Sequence, residues 1–279
     1  MDKKIFKVKG TYVNGQWLNS KDRYDIYNPS NGEKLSDVPI SDKKELELAV
    51  DSAKKAQLIW SKTSLIERAN ALEKLAKKIL EKEEEFALID TYDSGNALTG
   101  MRKDVKETVN NIRYFCGLVR EVKGETFSME KNHLNFTRYQ PYGVVLKINP
   151  FNHPFRFCVE KIAAPLLMGN SLIIKNSEQA PISSLRFCEL LEDIFPKGLI
   201  NVVTGGPDNG KFLVEHPDIK RIAVIGSVNT GIAVAKSAAP LLKNISLELG
   251  GKNPIIVFDD ADPDFAASLA IKGMNLSRQ

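Results

Sequence analysis

The sequence has 279 residues, of which 43% are hydrophobic and 27% are charged, and its formal net charge is +4. The apolar fraction is enough for a packed core in one large or two modest domains. The basic excess is small and scattered, which argues against nucleic acid or an anionic membrane surface as a partner. No apolar run approaches the roughly 20 residues that a bilayer span needs, so we expect a cytoplasmic protein.

The cysteines are Cys116, Cys158 and Cys188. They do not have the spacing of a metal site, and each stands among apolar or aromatic neighbours. We therefore predict three buried, reduced thiols and no bound metal.

The N-terminal region predicts a small β element. Asn14-Gly15 favours a two-residue hairpin turn. Residues 28–32 contain a second turn, and a short strand is predicted at 34–38.

Helices are predicted to follow. The apolar residues have helical spacing from Ser41 onward, and Ser64 with Glu67 forms a capping box that opens a longer helix. A further helix is predicted over 105–122.

In that further helix, Phe115 and Leu118 are predicted to face inward. Residues 136–139 then alternate as an exposed edge strand does. Such a strand is either a pairing or subunit-contact element or an ordinary edge strand, and the sequence leaves both interpretations open.

From Gly143 onward, short apolar strands alternate with helices. The strands are predicted at 144–148, 171–175, 199–203, 222–225 and 245–249, and the helices at about 159–168, 182–194, 211–215 and 232–239. This alternation predicts an α/β fold, in which right-handed crossovers build a parallel sheet that is covered on both faces.

Polar residues follow the carboxyl ends of these strands. They lie at 149–152, 175–178, 204–206, 226–227 and 248. Because ligands of parallel sheets bind at this edge, we predict a nucleotide site there.

The stretch from Gly226 to Gly231 adds a glycine-bounded turn before a helix, where backbone N–H groups and the helix dipole favour phosphate. Taken alone, this turn is also compatible with a tight connection that binds nothing. Glu248 alone is also compatible with the solvent-exposed face of a half-buried strand.

Four motifs stand at or beside these strand ends. They are Pro150-Phe151-Asn152 with Pro154, Lys175-x-x-Glu178-x-x-Pro181, Gly226-Ser227-x-x-x-Gly231, and Leu247-Glu248-Leu249-Gly250-Gly251-Lys252-x-Pro254. Together they resemble successive signatures of the NAD(P)-dependent aldehyde dehydrogenase superfamily, and the resemblance covers the chain nearly end to end. It implies a Rossmann-like coenzyme domain over 1–250, with the hairpin and an edge-strand segment near 124–140, and the beginning of a catalytic domain over 251–279.

The resemblance makes Asn152 and Glu248 the catalytic candidates. Asn152 resembles the amide donor that steadies the oxyanion of a thiohemiacetal, where one preorganised donor contributes about 2.7–4 kcal/mol. Glu248 resembles the general base that activates water for thioester hydrolysis.

The resemblance also implies a set of coenzyme-binding residues. Lys175 and Glu178 resemble the pair that holds the adenosine ribose hydroxyls. A carboxylate there accepts a hydrogen bond from a free 2′-hydroxyl and repels a 2′-phosphate, so NAD is expected over NADP. Ser227 resembles the hydroxyl that meets the pyrophosphate, and Gly206 and Gly210 fall near the adenine. The other candidates are Ile148, Pro150, Phe151, Gly226, Gly231, Leu249 and Gly250.

The chain departs from the family pattern in two respects. Val224 and Ile225 stand where an aromatic residue and a threonine are common, and the loop from Gly205 to Gly210 is one residue short. In addition, the family's nucleophilic cysteine lies in a G-Q-x-C motif after the helix that begins near Asp262, and the chain reaches Gln279 without it.

We therefore expect the N-terminal portion of an NAD-dependent aldehyde dehydrogenase, which by itself lacks the nucleophile. The complete enzyme would oxidise a small-molecule aldehyde to a carboxylic acid and would be a homo-oligomer. The main alternative is a nucleotide-binding or interaction module without chemistry. A weaker one is another Rossmann-like oxidoreductase, which the missing G-x-G-x-x-G disfavours. We also expect a strand around Pro254–Phe258 with exposed apolar surface, and hence self-association.

Overall fold

The computed structural model describes residues 3–274, so the last five residues of the expected second domain lie outside the described part. The strands are β1 Thr11–Val13, β2 Gln16–Leu18, β3 Arg23–Tyr27, β4 Lys34–Pro39, β5 Thr126–Glu130, β6 His133–Phe136, β7 Val144–Ile148, β8 Ser171–Lys175, β9 Ile200–Val203, β10 Ile219–Gly226 and β11 Asn244–Leu249. The helices are α1 Lys43–Trp60, α2 Leu65–Glu81, α3 Glu83–Ser94, α4 Leu98–Leu118, α5 Pro154–Val159, α6 Ala163–Leu167, α7 Ile182–Phe187, α8 Pro207–Glu215, α9 Val228–Ala238 and α10 Pro263–Met274.

Seven strands form one sheet in the order β11-β10-β7-β8-β9-β1-β2. The pairs from β11 to β9 are all parallel, which confirms the predicted α/β fold and its five parallel strands. The N-terminal hairpin forms at Asn14-Gly15 as predicted, and it extends this sheet because β1 pairs antiparallel with β9.

The strand order reverses at β7. From β7 the chain proceeds to β8 and β9 on one side of the sheet, and then crosses back to place β10 and β11 on the other side. The crossover after β7 runs toward β8, and the crossover after β10 runs toward β11. Between β7 and β10 they diverge, which leaves a crevice at the carboxyl ends of these two strands. Open α/β sheets bind their ligands at such a point.

Both faces of the sheet are covered, as predicted. Val145 of β7 belongs to a buried cluster with helices α2 to α7, whereas its neighbours Val144 and Leu146 belong to a second cluster with α1, α8 and α9. Strand β8 alternates in the same way, with Leu172 in the first cluster and Ile173 in the second. This is the burial expected of parallel strands that pack on two layers of helices.

The helices on the second face begin earlier than predicted. α9 begins at Val228 instead of 232, because the Ser227 side chain accepts the Thr230 N–H at 3.1 Å and so caps the helix. α8 begins at Pro207 instead of 211, since proline fits the first helical turn, where its missing N–H is not needed.

Two helices on the first face are shorter than predicted. The helix expected over 159–168 begins at Pro154 and is interrupted at Lys161, whose φ of −93° and ψ of 16° are not helical. The helix expected over 182–194 ends at Phe187 and continues only as a 3₁₀ turn.

The segment 124–140 contains β5 and β6, which form a separate two-stranded antiparallel sheet. The strand predicted at 136–139 therefore lies earlier, at His133–Phe136. Most of the side chains of both strands are exposed, as expected for an edge element.

The prediction for Leu118 is wrong. Phe115 is half-buried, but Leu118 is 44% exposed. The reason is that α4 ends at Leu118, and Val119 in the following 3₁₀ turn takes the buried position.

The C-terminal part of the described chain exposes apolar side chains, among them Ile256 and Phe258. Residues 250–258 have no regular secondary structure, so the strand expected at Pro254–Phe258 is wrong, whereas its exposed apolar surface is confirmed. α10 has no buried residue. Self-association through this surface stays a prediction.

None of the helices within residues 3–274 combines the length and the apolar character that crossing a membrane requires. The three cysteines are buried and unpaired, as predicted.

Helix α5 is held at both ends by buried ionisable groups. At its start, Asp90 of α3 accepts the Phe155 N–H at 2.9 Å. At its end, the ammonium of Lys147 donates to the carbonyls of Phe157 and Cys158, both at 3.0 Å. These groups satisfy backbone donors and acceptors that have no intrahelical partner. Burial raises the pKa of Asp90 to about 7 and lowers the pKa of Lys147 to about 8.

Helix α7 is held in the same manner. Asp93, one turn after Asp90 on α3, accepts the Ile182 N–H at 2.9 Å. Burial raises its pKa well above the ordinary value. One helix thus positions the two helices that follow β7 and β8.

We predict that Asp90 makes a contribution to stability that is lost as the pH rises. Its folded-state pKa of about 7 lies above the ordinary 3.8, so its contribution is fully present below 3.8 and is lost as the pH rises through 7. Asp90→Asn keeps an oxygen for the Phe155 N–H and should flatten this part of the pH dependence. Urea unfolding across this pH range measures it, with Asp51→Asn on the exposed side of α1 as the control. An unchanged slope in Asp90→Asn would contradict the prediction.

Candidate functional site

A cavity of about 510 Å³ opens at the carboxyl edge of the sheet, at the point where the strand order reverses. Its walls come from the ends of β7, β8 and β10 and from helices α8 and α9. Small-molecule sites have volumes of roughly 300–1,000 Å³, so the cavity has the size of a ligand site.

Most of the residues that the sequence predicts for coenzyme binding line this cavity. They are Ile148, Pro150, Phe151, Lys175, Glu178, Gly210, Gly226 and Ser227. They come from three strand ends and two helices, which the fold brings together at one edge.

The other predicted residues lie outside the lining: Asn152, Gly206, Gly231, Glu248, Leu249 and Gly250. Gly206 caps the start of α8, directly before the lining residue Pro207. Gly231 packs against the end of β11, since a Cβ at this glycine would lie 2.7 Å from the Leu249 methyl carbons.

Apart from Gly210, sequence reasoning missed the helical faces of the cavity. α8 contributes Pro207, Gly210, Lys211 and Val214, and α9 contributes Thr230, Ala233, Val234 and Ser237. Both sets have the i, i+3, i+4, i+7 spacing of one helix face. If the helices had been predicted to begin at 207 and 228, this spacing could have been recognised in the sequence.

Lys175 and Glu178 form a loose pair on the rim. The Lys175 side chain is buried, and burial lowers its pKa. Its Nζ lies 3.9 Å from the Glu178 carboxylate and donates to the Asn176 carbonyl at 3.5 Å. Because these contacts are long and an ammonium has three donors, Lys175 can donate to a ligand in the cavity.

The ends of β7 and β8 are joined by side-chain and backbone bonds. The Asn149 amide donates to the Asn176 side-chain oxygen at 2.9 Å, and the Asn149 N–H donates to the Lys175 carbonyl at 3.1 Å. These bonds hold the two loops that carry Phe151 and Glu178.

The N-terminus of α9 lies on the opposite rim. Ser227 is exposed and its Oγ contacts both the N–H and the hydroxyl of Thr230, at 3.1 and 2.9 Å. The remaining N–H groups of this first turn lack intrahelical acceptors, and with the helix dipole they favour an anion.

Glu248 and Asn152 lie beyond the cavity. The Glu248 side chain is 67% exposed at the end of β11, and its carboxylate lies 3.5 Å from the ammonium of Lys161. Lys161 occupies the interruption between α5 and α6, a position that no sequence pattern marks. The Asn152 carbonyl accepts the Asn96 amide at 2.6 Å, while its side-chain oxygen is buried without a partner among the described residues.

The cysteines are unfavourable nucleophiles. Burial raises the pKa of Cys116 to about 11 and that of Cys158 to about 12, and it raises the pKa of Cys188 well above the ordinary value. A thiol reacts as its thiolate, which these environments disfavour.

We predict that Gly205 and Gly206 differ in their tolerance of a side chain. Gly205 has a φ of +125°, and a Cβ there would lie 2.6 Å from the Asn209 amide. That amide cannot retreat, because it donates to the carbonyls of Ser41 and Thr204 at 2.6 and 3.1 Å.

Gly205→Ala should therefore lower the free energy of unfolding by about 1–3 kcal/mol. The matched control is Gly206→Ala, where a Cβ meets nothing within 4 Å, and it should cost less than about 1 kcal/mol. Denaturant unfolding measures both, and equal losses would refute the prediction.

Comparison with known proteins identifies the family. The model of the aldehyde dehydrogenase family matches residues 17–278. The aldehyde dehydrogenase tropH of Talaromyces stipitatus is 36% identical over 271 residues, which are 95% of this chain and 53% of that protein. The hydroxyisobutyraldehyde dehydrogenase of Mycolicibacterium austroafricanum is 35% identical, over 94% of this chain and 53% of its own.

Solved structures agree with this fold. The betaine aldehyde dehydrogenase of Staphylococcus aureus in complex with NAD⁺ superposes with a TM-score of 0.91 at 35% identity, covering 95% of this chain and 54% of that one. An NADP-dependent enzyme of Escherichia coli has a TM-score of 0.93 at 30% identity, covering 99% and 58%. The chain spans about half the length of the curated relatives it matches. With a family match over nearly its whole length, the chain belongs to the aldehyde dehydrogenase family.

Proposed function

We propose that the cavity binds NAD and that this chain is the coenzyme-binding part of an enzyme that oxidises an aldehyde to a carboxylic acid. The observation that carries the proposal is the position of the cavity between β7 and β10, with a buried lysine on one rim and a helix N-terminus on the other. Family membership favours an oxidoreductase over a module without chemistry.

The residues of the cavity fit the parts of a dinucleotide. The Glu178 carboxylate would accept from the ribose hydroxyls and the buried Lys175 would donate to them. Ser227 and the start of α9 would hold the pyrophosphate, for which a helix N-terminus is suited. The apolar Val214 and Val234 face the cavity from two helices and would form walls for the adenine.

When bound, the coenzyme would accept a hydride from the substrate. The chain's own residues would manage the charges and protons around that transfer. Asn152 would donate from its side-chain amide to the developing oxyanion. Glu248, whose carboxylate lies 3.5 Å from the Lys161 ammonium, would take a proton from the attacking water in the hydrolytic step.

We predict that Ser227→Ala weakens NAD binding about tenfold, because it removes one hydroxyl and loosens the first turn of α9. The matched control is Ser64→Ala, which removes the N-cap of α2, a helix that contributes no residue to the cavity lining. Both variants should lose about 0.5–2 kcal/mol of stability, but only Ser227→Ala should lose affinity. Titration calorimetry with NAD tests this, and a wild-type protein that binds no NAD would overturn the proposed function.

We further predict that the 279-residue chain forms no NADH from NAD and aldehydes. Its three cysteines are all buried with raised pKa values, so none is a ready thiolate. Absorbance at the NADH band with a panel of aldehydes measures this, and calorimetric NAD binding by the same preparation is the control. NADH formation that disappears in Cys158→Ser would show that a buried thiol serves as the nucleophile.

A further inference from the structure

We propose that Asn96 is a positioning residue: it holds the segment 150–152, against which the nicotinamide half of the coenzyme binds. This segment carries Phe151 of the cavity lining and Asn152, the proposed oxyanion donor. The inference rests on the proposed function, which places NAD in the cavity. It adds a residue outside the lining, in the loop between α3 and α4.

The place of the nicotinamide half follows from the other groups. In the proposed function the adenosine ribose lies at Lys175 and Glu178, and the pyrophosphate lies at the start of α9. The hydride acceptor must then lie near the carbonyl that Asn152 contacts, because reacting atoms need to be within about 3–3.5 Å of each other. The segment 150–152 therefore borders the half of NAD that ADP lacks.

Asn96 ties this segment to the end of α3. Its side-chain amide donates to the Asn152 carbonyl at 2.6 Å and to the Ser94 hydroxyl oxygen at 2.9 Å. Ser94 in turn donates to the Asp90 carbonyl at 2.7 Å. Both hydrogens of the Asn96 amide are thus engaged, and the residue is 6% exposed. The contact with Ser94 fixes the direction in which the amide meets the segment.

The geometry of the segment depends on this contact. Residues 150–152 have no regular secondary structure, and Pro150 has no N–H to donate. The Asn152 side-chain oxygen is buried without a partner among the described residues, so no hydrogen bond to this oxygen orients the amide. The directions of the Asn152 amide and of Phe151 are then set by the backbone that Asn96 holds.

A second contact from α3 limits what the Asn96 bond does. Asp90 accepts the Phe155 N–H at 2.9 Å and so fixes the start of α5. Loss of the Asn96 bond therefore leaves α5 in place and releases the segment before it. We expect a local effect on ligand binding instead of general unfolding.

ADP and NAD separate the two halves of the coenzyme without any catalytic step. ADP carries the adenosine and the pyrophosphate and lacks the nicotinamide nucleoside. Titration calorimetry with each ligand is done on the 279-residue wild type, Asn96→Ala and Asn96→Asp. The aspartate keeps the volume of the side chain but cannot donate to the Asn152 carbonyl, so it carries the same expectation if the alanine variant does not fold.

The matched control is Asn170→Ala. The Asn170 amide is also buried, donates to the Pro165 carbonyl at 2.9 Å, and accepts the Gly143 N–H at 3.1 Å. Asn170 lies directly before β8, at the amino edge of the sheet. Both alanine variants should unfold at lower urea concentrations than the wild type, but Asn170→Ala should bind both ligands as the wild type does.

Asn96→Ala and Asn96→Asp should weaken NAD about 3- to 10-fold, the range that corresponds to one lost hydrogen bond, and leave ADP within about twofold. A loss of the same size for both ligands, or for neither, would overturn the role of Asn96 while leaving NAD binding intact. The same difference between the ligands in Asn170→Ala would assign it to lost stability and would overturn the role as well.

The wild type separates this role from the proposed function. A wild type that binds NAD but not ADP would overturn the placement of the two halves on which the role of Asn96 rests. If the wild type does not bind NAD, the proposed function itself fails.

Discussion

The pairing of β7 with β8 on one side and β10 on the other is the constraint on which the site depends. Parallel strands cannot be joined by tight turns, so each of these pairs requires a helical crossover. The crossover that follows β7 runs toward β8 and the crossover that follows β10 runs toward β11, so their loops separate above the sheet. The cavity is therefore a consequence of strand order, and the loops that end these strands supply polar side chains to it, among them Lys175 and Ser227.

Buried ionisable groups under the loops preserve that arrangement. α3 contributes Asp90 and Asp93 to the starts of α5 and α7, and the buried Lys147 of β7 holds the end of α5. Buried polar groups need hydrogen-bond partners, and here the partners are helix termini. The N-terminal helices thus act on the site by orienting α5 and α7, although they contribute no residue to the cavity lining.

The strands and their polar ends could be predicted because buried parallel strands are short apolar runs that end abruptly. The starts of α8 and α9 could not, since Ser227 caps α9 through a contact that replaces the expected turn, and Pro207 begins α8 in a segment whose sequence is typical of a glycine loop. Because these two starts were predicted too late in the chain, the sequence analysis did not identify the faces of α8 and α9 that line the cavity, nor Lys211 on α8. The proximity of Lys161 and Glu248 depends on a helix interruption and a tertiary contact across 87 positions, which no local pattern encodes.

The contact of Gly231 with Leu249 determines the direction of the neighbouring carboxylate. Side chains of a strand alternate between faces, so Leu249 against α9 sends Glu248 to the opposite face, where Lys161 meets it. The sheet is thus a partition: the helices α8 and α9 lie on one side and the Lys161–Glu248 pair on the other. A ligand that contacts both faces must therefore pass over the carboxyl edge of the sheet, with one part of the ligand on each face.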